Sequence, residues 1–502
     1  MKVNTTEIAK HNAEKLEILK QKDALQLLKI VADIESGKNV FLHGPGGTGK
    51  SYTIRALYSL LKLQDKEVSV TATTGIAAVT LGNNEMPVST LHSFAGVGLG
   101  DSDVKYLIQK VRSSGSSKRV WERCDVLIID EVSMLGGRFF TKLDLVAKAI
   151  RNNYLPFGGI QLIMSGDFMQ LPPVKDMWIY DTSTWLELNL HPFVFSTPYR
   201  YTDLDFFYML LRIRVGKITE KDEAILRIRT KSNLMMQQSI KKAELSKKLD
   251  IMRPTTFYST RKDVSELNYI EMEKLPTQIC EFTSTDSVQE GKYLSEGDMR
   301  TAKAILEESA PSRITLKIGS QVMLKVNQSI ECGLVNGSRG VVTDIMGNIK
   351  FPTGVMVKFV NGLKTVIDKH EYRIKHKKVI VSRFQIPLML AYALTIHKAQ
   401  GCTLDYAVIN LDESVFANGQ AYVALSRCRD IKGMFIGNFN PGCILTSTSS
   451  LQYSKMIDIV SSIRVGIYDY HKVRDLYVFY LKKIFMRDIA QLIIHLLFDL
   501  YA

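Results

Sequence analysis

Apolar positions recur along this chain in two rhythms. Up to about residue 36 they fall at helical spacing, as in Leu25, Leu28, Ile30 and Val31, which predicts an opening helix. Beyond it, short unbroken apolar runs alternate with helical stretches. "NVFLHG", "VSVTAT", "DVLIID" and "IQLIMSGD" each read as a strand buried on both faces, the signature of a parallel sheet. They predict one doubly wound α/β domain over residues 1–190, with a polar, Ser/Gly-bearing elaboration at about 96–121.

A second α/β unit is expected over 191–311, opening at "FVFSTPYR", and it resumes over 381–450 in "MLAYALTIHKAQG", "YAVINL" and "GMFIGNF". Between its parts, residues 312–380 carry β-branched and aromatic runs punctuated by "VNGSRG", "MGN", "PTG" and "VNG". That pattern predicts a small inserted antiparallel β-barrel. Residues 451–502 read as a helical tail with no assigned purpose.

Charge narrows the partners. The 65 Lys and Arg against 51 Asp and Glu leave +14, which favours a polyanion, nucleic acid ahead of a membrane surface. The six cysteines are scattered without metal-ligand spacing, as expected of an intracellular, reducing compartment, cytoplasm or nucleus. No secretory signal is read at the N-terminus, and "IAQLIIHLLFDLYA" is too short to span a bilayer, so no membrane role is expected.

The chemistry begins at "HGPGGTGKS", which follows a strand and opens the helix "YTIRALYSLLK". Gly44, Pro45, Gly46, Gly47, Thr48 and Gly49 form a loop whose backbone N–H groups can wrap the phosphates of ATP. Lys50 should reach the β- and γ-phosphates and the Ser51 hydroxyl should ligate Mg²⁺. "CDVLIIDE" delivers Asp130 to the sheet's carboxyl edge as the second Mg²⁺ anchor, with Glu131 placed to activate water. In "SGDFMQLPPV", Gln170 sits on a proline-stiffened turn, and local chemistry leaves it between a γ-phosphate sensor and a solvated amide.

"GPGGTGKS", "TATTGIAA", "STLHSFAGVG", "IIDEVSML", "GDFMQLPPV", "LVNGSRGVV", "LTIHKAQGCTLD" and "GQAYVALSRCRD" occur in that order. The series resembles the motifs of superfamily 1B DNA helicases of the petite-integration-frequency (PIF) and RecD type, with the PIF branch the nearer. The resemblance covers roughly residues 17–440. It implies two RecA-like P-loop domains with ATP between them, a barrel of Src-homology-3-like type in the second, and a motor that moves 5′→3′ on single-stranded DNA. Gln21 matches the adenine-reading glutamine, Gln170 the glutamine that couples γ-phosphate state to domain closure, and Arg200 and Arg427 the arginines presented by the second domain. Gly401 of motif V joins the nucleotide set.

For the DNA track, Thr74 and Gly75 lie at a strand end where hydroxyl and N–H can hold phosphates, and His92 and Ser93 follow. Phe94 either stacks on a base or packs in the core. Thr395, His397 and Lys398 match the strand-contacting motif V. "KHEYRIKHKK" lies along the DNA groove or is a solvated loop. Tyr201 and Ala399 depart from the family's usual Gln and Ser.

The implied activity is an ATP-dependent helicase acting on single-stranded and forked or tailed duplex DNA in replication, repair or recombination. A second reading keeps the ATPase as a DNA-stimulated subunit without independent unwinding, its tail binding replication or recombination proteins. A third, a P-loop scaffold, leaves Gln170, Arg200 and Arg427 without use.

Overall fold

In the computed structural model, six strands pair to form the first sheet: β1 (Val40–His43), β2 (Val68–Ala72), β3 (Val88–Thr90), β4 (Val126–Asp130), β5 (Gln161–Gly166) and β6 (His191–Val194). Their order is β3-β2-β4-β5-β1-β6, and all pairings are parallel. The structure describes residues 25–465 apart from 83–85, 99, 246–252, 289–292, 327, 330, 331, 333, 335, 336, 349, 350, 377, 378, 402 and 405.

The four runs read as buried strands are the four inner ones. Their unbroken hydrophobicity follows from helices on both faces. Along β4, Val126 and Ile128 point into one core with Ile54, Leu57 and Leu61 of the helix Lys50–Leu63. Leu127 and Ile129 point into the other, with Phe140, Leu143 and Val146 of the helix Gly137–Arg151. The elaboration near 96–121 is a helix pair, Val104–Ser113 and Gly115–Arg123. One expectation is corrected: the strand in "HPFVF" does not open the second unit but completes the first sheet, where His191–Val194 pair with Val40–His43. A four-residue run flanked by proline carries no mark of which sheet it joins.

The second lobe's parallel sheet begins with β7 (Thr255–Tyr258), and its core already takes in Tyr201 and the helix Leu204–Arg214. The antiparallel material follows as β8 (Cys280–Thr283), β9 (Thr285–Val288), β10 (Arg313–Leu316), β11 (Gln321–Leu324), β12 (Arg339–Asn348), β13 (Phe351–Phe359), β14 (Lys364–Asp368), β15 (His370–His376), β16 (Val379–Gln385) and β17 (Leu388–Leu390). The chain then returns as β18 (Ala393–Thr395), β19 (Ala407–Leu411) and β20 (Met434–Phe439) to a parallel sheet ordered β18-β7-β19-β20. The lobes are thus the two parallel-sheet units expected of RecA-like domains.

Strands β14-β13-β12-β11-β17 form one antiparallel sheet, and β8 and β10 share its core through Phe282 and Leu316. The "PTG" stretch is no turn: Gly354 lies inside β13 opposite Asp368, where a Cβ would stand 2.8 Å from the Asp368 carboxylate. "KHEYRIKHKK" enters β15, paired with β16, rather than a loop.

The tail, so far as it is described, is the helix Thr448–Val465, which crosses back to the first lobe. Tyr453 stacks on Tyr180 with ring centroids 4.3 Å apart, and Ile457 enters the first lobe's core. The Ser461 hydroxyl accepts the Val194 N–H at 3.0 Å on edge strand β6. Residues 448–465 are therefore part of the first lobe's packing, and a test of the tail as a docking element has to cut after them. Residues 466–502 of the expected tail, and Gln21, lie outside the described residues.

Candidate nucleotide and DNA site

Parallel β1, β4 and β5 end side by side at His43, Asp130 and Gly166, the edge where α/β sheets bind ligands. After β1 the chain turns through Gly44, Gly47 and Gly49, all at positive φ. A Cβ on Gly44 would sit 2.4 Å from the Phe195 carbonyl oxygen, and one on Gly47 would sit 2.6 Å from Arg200 Cβ. Only glycine lets this loop lie against its neighbours. Thr48 donates its hydroxyl to the Pro45 carbonyl at 2.8 Å. Lys50 Nζ donates to the Gly44 and Pro45 carbonyls at 2.7 and 2.8 Å. Burial pushes its pKa down, opposed by Asp167, Glu131 and Asp130. Ser51 is exposed at the helix start.

Burial, then the neighbouring Glu131, push the Asp130 carboxyl up to about 6. Its Oδ1 accepts the Glu131 N–H at 2.9 Å. Glu131 itself is held at φ 56°, ψ 42°, a left-handed conformation that a glutamate adopts only under local constraint. Thr73 fixes it from β2's end, donating its hydroxyl to the Glu131 carbonyl at 2.9 Å.

Gln170 is 4% exposed, so the solvated-amide reading does not hold. Its Oε1 meets no donor among the described residues. Gly419, at the start of the second-lobe helix Gln420–Leu425, packs on this turn: a Cβ there would lie 2.5 Å from the Met169 and Gln170 carbonyl oxygens. Both arginines also approach the phosphate loop. The position of a Cβ on Gly46 is 3.3 Å from Arg427 Nη2 and 3.7 Å from Arg200 Nη1. Arg427 is 2% exposed, and burial, then Arg200, push its pKa down. Arg200 and Tyr201 both donate to the Ser426 carbonyl, at 3.1 and 3.0 Å. Tyr201 otherwise packs in the second lobe's core, in keeping with its departure from Gln.

Several partners went unread in the sequence. The Tyr422 hydroxyl accepts the Gly46 N–H at 3.1 Å. Gln400 donates to Glu131 Oε2 at 3.0 Å. Tyr199 lies over Gly49, whose Cβ would meet its ring at 3.2 Å. Behind the loop, Asp167, Arg214, His43 and Ser454 form a buried network drawn from both lobes and the returning helix. None of these contacts has a local signature, and Arg214 and Ser454 lie outside every stretch quoted above.

The DNA candidates divide. Thr74 caps the helix Gly75–Leu81, its hydroxyl accepting the Ala77 N–H at 3.1 Å, and Gly75 is exposed with open space around it. Thr395 caps Ile396–Ala399 in the same way, taking the Lys398 N–H at 3.2 Å; His397 is half-buried and Lys398 exposed. Gly401 brings these segments together across the lobes: a Cβ there would have Ala77 Cα at 3.9 Å and no phosphate-loop atom within 4 Å. His92 lies flat on Phe139 at 4.4 Å, and the exposed Ser93 shares a hydrogen bond with the Thr90 hydroxyl. Phe94 is buried against Trp121, which decides its open reading in favour of the core.

Comparison with known proteins places the chain. A PIF1-like helicase family model matches residues 18–179, and a model of the DNA helicase Pif1 2B domain matches residues 306–345, from the end of the helix Glu296–Ser309 into β12. The crystal structure of Pif1 helicase from Candida albicans is similar at 31% identity and a TM-score of 0.70, over 86% of this chain and 98% of that one. This chain belongs to the PIF1-like helicase family. The ATP-dependent DNA helicase PIF1 of Danio rerio is 35% identical over 87% of this chain and 64% of its own length. The chain thus spans somewhat under two thirds of that PIF1 relative. Pif1 from a Bacteroides species, in complex with ADP-AlF4, aligns at 25% identity with a TM-score of 0.64, over 86% of this chain and 96% of that one.

Proposed function

We propose that this chain is an ATP-dependent DNA motor that moves 5′→3′ on single-stranded DNA and unwinds forked or tailed duplex, serving replication, repair or recombination. The observation that carries this reading is the cleft itself. One lobe supplies the phosphate loop with Lys50, Asp130 and Glu131, while the other brings Arg200 and Arg427 against Gly46. In such a cleft hydrolysis depends on closure, because the guanidiniums that neutralise the transferring phosphoryl group belong to the moving lobe.

The oxygens of Ser51 and Asp130 form a hard donor set suited to Mg²⁺, and the disfavoured charge of buried Asp130 suits a cation partner. Bound there, Mg²⁺ supplies charge neutralisation on the phosphates. Lys50 trades its two carbonyl partners for phosphate oxygens. Glu131 takes the proton of the attacking water, and Gln170 contacts the γ-phosphate from a turn that the second lobe touches through Gly419. Thr74, Gly75, Thr395, His397 and Lys398 hold the strand's backbone, so translocation needs no base sequence.

Gln170→Ala and Arg427→Ala should keep nucleotide binding and lose most DNA-stimulated turnover, by about 10³-fold for the arginine. Fluorescent-nucleotide titration beside a phosphate-release assay checks both. Wild-type turnover in the Gln170 variant would end its coupling role.

Strand displacement on two matched duplexes, one with a 5′ tail and one with a 3′ tail, tests the function. Unwinding of the 5′-tailed substrate alone is expected. Unwinding of neither, with turnover still rising on added single strand, would support the subunit reading instead.

A further inference from the structure

We propose that Gln400 is a positioning residue for hydrolysis, holding the Glu131 carboxylate from the second lobe and carrying the state of the DNA-facing segment Thr395–Lys398 to it. This inference rests on the motor reading above.

Glu131 and Gln400 belong to different lobes and meet in a hydrogen bond of 3.0 Å from Gln400 Nε2 to Glu131 Oε2. Gln400 is 4% exposed and Glu131 half-buried, so the contact lies at the inner edge of the cleft. Its backbone is fixed as well. The Thr395 hydroxyl caps the turn through the Lys398 N–H, and the Gln400 N–H donates to the His397 carbonyl at 3.3 Å. Gly401 follows at φ +85° and faces Ala77, one turn from Thr74 and Gly75. One residue, Ala399, therefore separates Gln400 from Lys398, the nearest side chain proposed to grip the strand. Any shift of that turn on DNA contact displaces the amide.

The chemistry of the contact suits a base. A neutral amide donor orients the carboxylate by the direction of its N–H, without adding a charge to the site as Lys or Arg would. The other end of the amide matters too. Gln400 Oε1 is buried and meets no donor among the described residues, an arrangement that is costly in a finished structure. A water poised beside Glu131 offers the missing donor. The water would then be oriented by two acceptors, one from each lobe, and would be aligned only when the lobes and the DNA segment are in register.

The test uses the full chain, ATP turnover and a mixed-sequence single-stranded oligonucleotide, titrated against wild type, Gln400→Ala, Gln400→Glu, Glu131→Gln and the Glu131→Gln/Gln400→Ala pair. Gln400→Ala should lower kcat at saturating DNA about 10-fold, the loss of one hydrogen bond to a charged group. KM for ATP and the half-saturating DNA concentration should stay within about two-fold, because neither ligand loses a contact. Gln400→Glu should fall lower still, because its carboxylate repels that of Glu131. The double variant should be no slower than Glu131→Gln, because the amide acts through that carboxylate.

A wild-type kcat in Gln400→Ala overturns the proposal, as does a defect confined to DNA half-saturation or an additive loss in the double variant. If the wild-type protein shows no stimulation by DNA, the motor reading falls and takes this proposal with it. If stimulation is normal and Gln400→Ala matches wild type, only the proposal falls.

Discussion

Lys50→Ala is expected to lower ATP turnover by about 10³-fold, with or without DNA, while the thermal unfolding transition moves by only a few degrees. The two halves of that expectation come from one geometry. Lys50 is hydrogen-bonded to the phosphate loop's own carbonyls, at 2.7 and 2.8 Å. Burial works against its charge, and the carboxylates of Asp167, Glu131 and Asp130 work for it. A lysine held this way is ready to exchange two carbonyls for phosphate oxygens at little reorganisation, which is what an electrostatic catalyst requires. Removing it leaves a polar hole lined by the Gly44 and Pro45 carbonyls. Water can fill such a hole, so the fold loses little. Phosphate release and differential scanning of the same preparation check both halves. Retained turnover would remove the loop from the chemistry, and a collapsed transition would show that Lys50 holds the fold as well.

The inner strands of the first sheet were legible because each is an unbroken apolar run between polar punctuation, and burial on both faces leaves no other pattern. Edge strands β3 and β6 were not, since Val88–Thr90 is only three residues long and His191–Val194 contains a proline. Nothing in either run says which sheet it extends. The site divides the same way. Gly44 to Ser51 and Asp130-Glu131 declare themselves because their spacing is dictated by phosphate and metal chemistry acting on contiguous residues. Gln400 and Tyr422 act through partners 269 and 376 residues away and Arg214 through one 47 residues away, and only the folded contact tells that Gln400 reaches Glu131. Gly354 fails differently: in "PTG" it punctuates the apolar runs as a turn glycine does, but here it admits the Asp368 side chain across a ladder.

The second large effect falls on stability, at Arg214. Asp167 has no exposed surface, and Arg214, from the second-lobe helix Leu204–Arg214, clasps it with Nε to Oδ2 at 3.0 Å and Nη2 to Oδ1 at 2.8 Å. Arg214→Ala leaves a buried carboxylate without its ion-pair partner, with the Met169 N–H still donating to its Oδ1 at 3.1 Å, and should cost about 3–5 kcal/mol, read as a lowered guanidinium midpoint. The pH dependence carries the sign. In the wild type, burial pushes Asp167 up, but Arg214 outweighs it and the carboxyl sits below its usual range. A depressed carboxyl stabilises the fold above its unfolded value of about 3.9, and that contribution is lost as pH falls through its folded value. In Arg214→Ala the largest opposing charge is gone and burial is countered only by His43 and Lys50, so the Asp167 carboxyl moves up and the variant loses stability relative to wild type as pH climbs from about 4. The gap between the proteins should therefore be widest near pH 7 and close in acid. Asp167→Asn with Arg214→Leu should recover most of the loss, because no buried charge remains. Asp167 stands three residues before Gln170, and Arg214 also reaches His43, the residue before the phosphate loop, at 3.3 Å. The recovered pair therefore separates two roles. If it unfolds like wild type yet responds poorly to DNA, the ion pair serves communication between lobes. Wild-type response would make it a structural clasp alone.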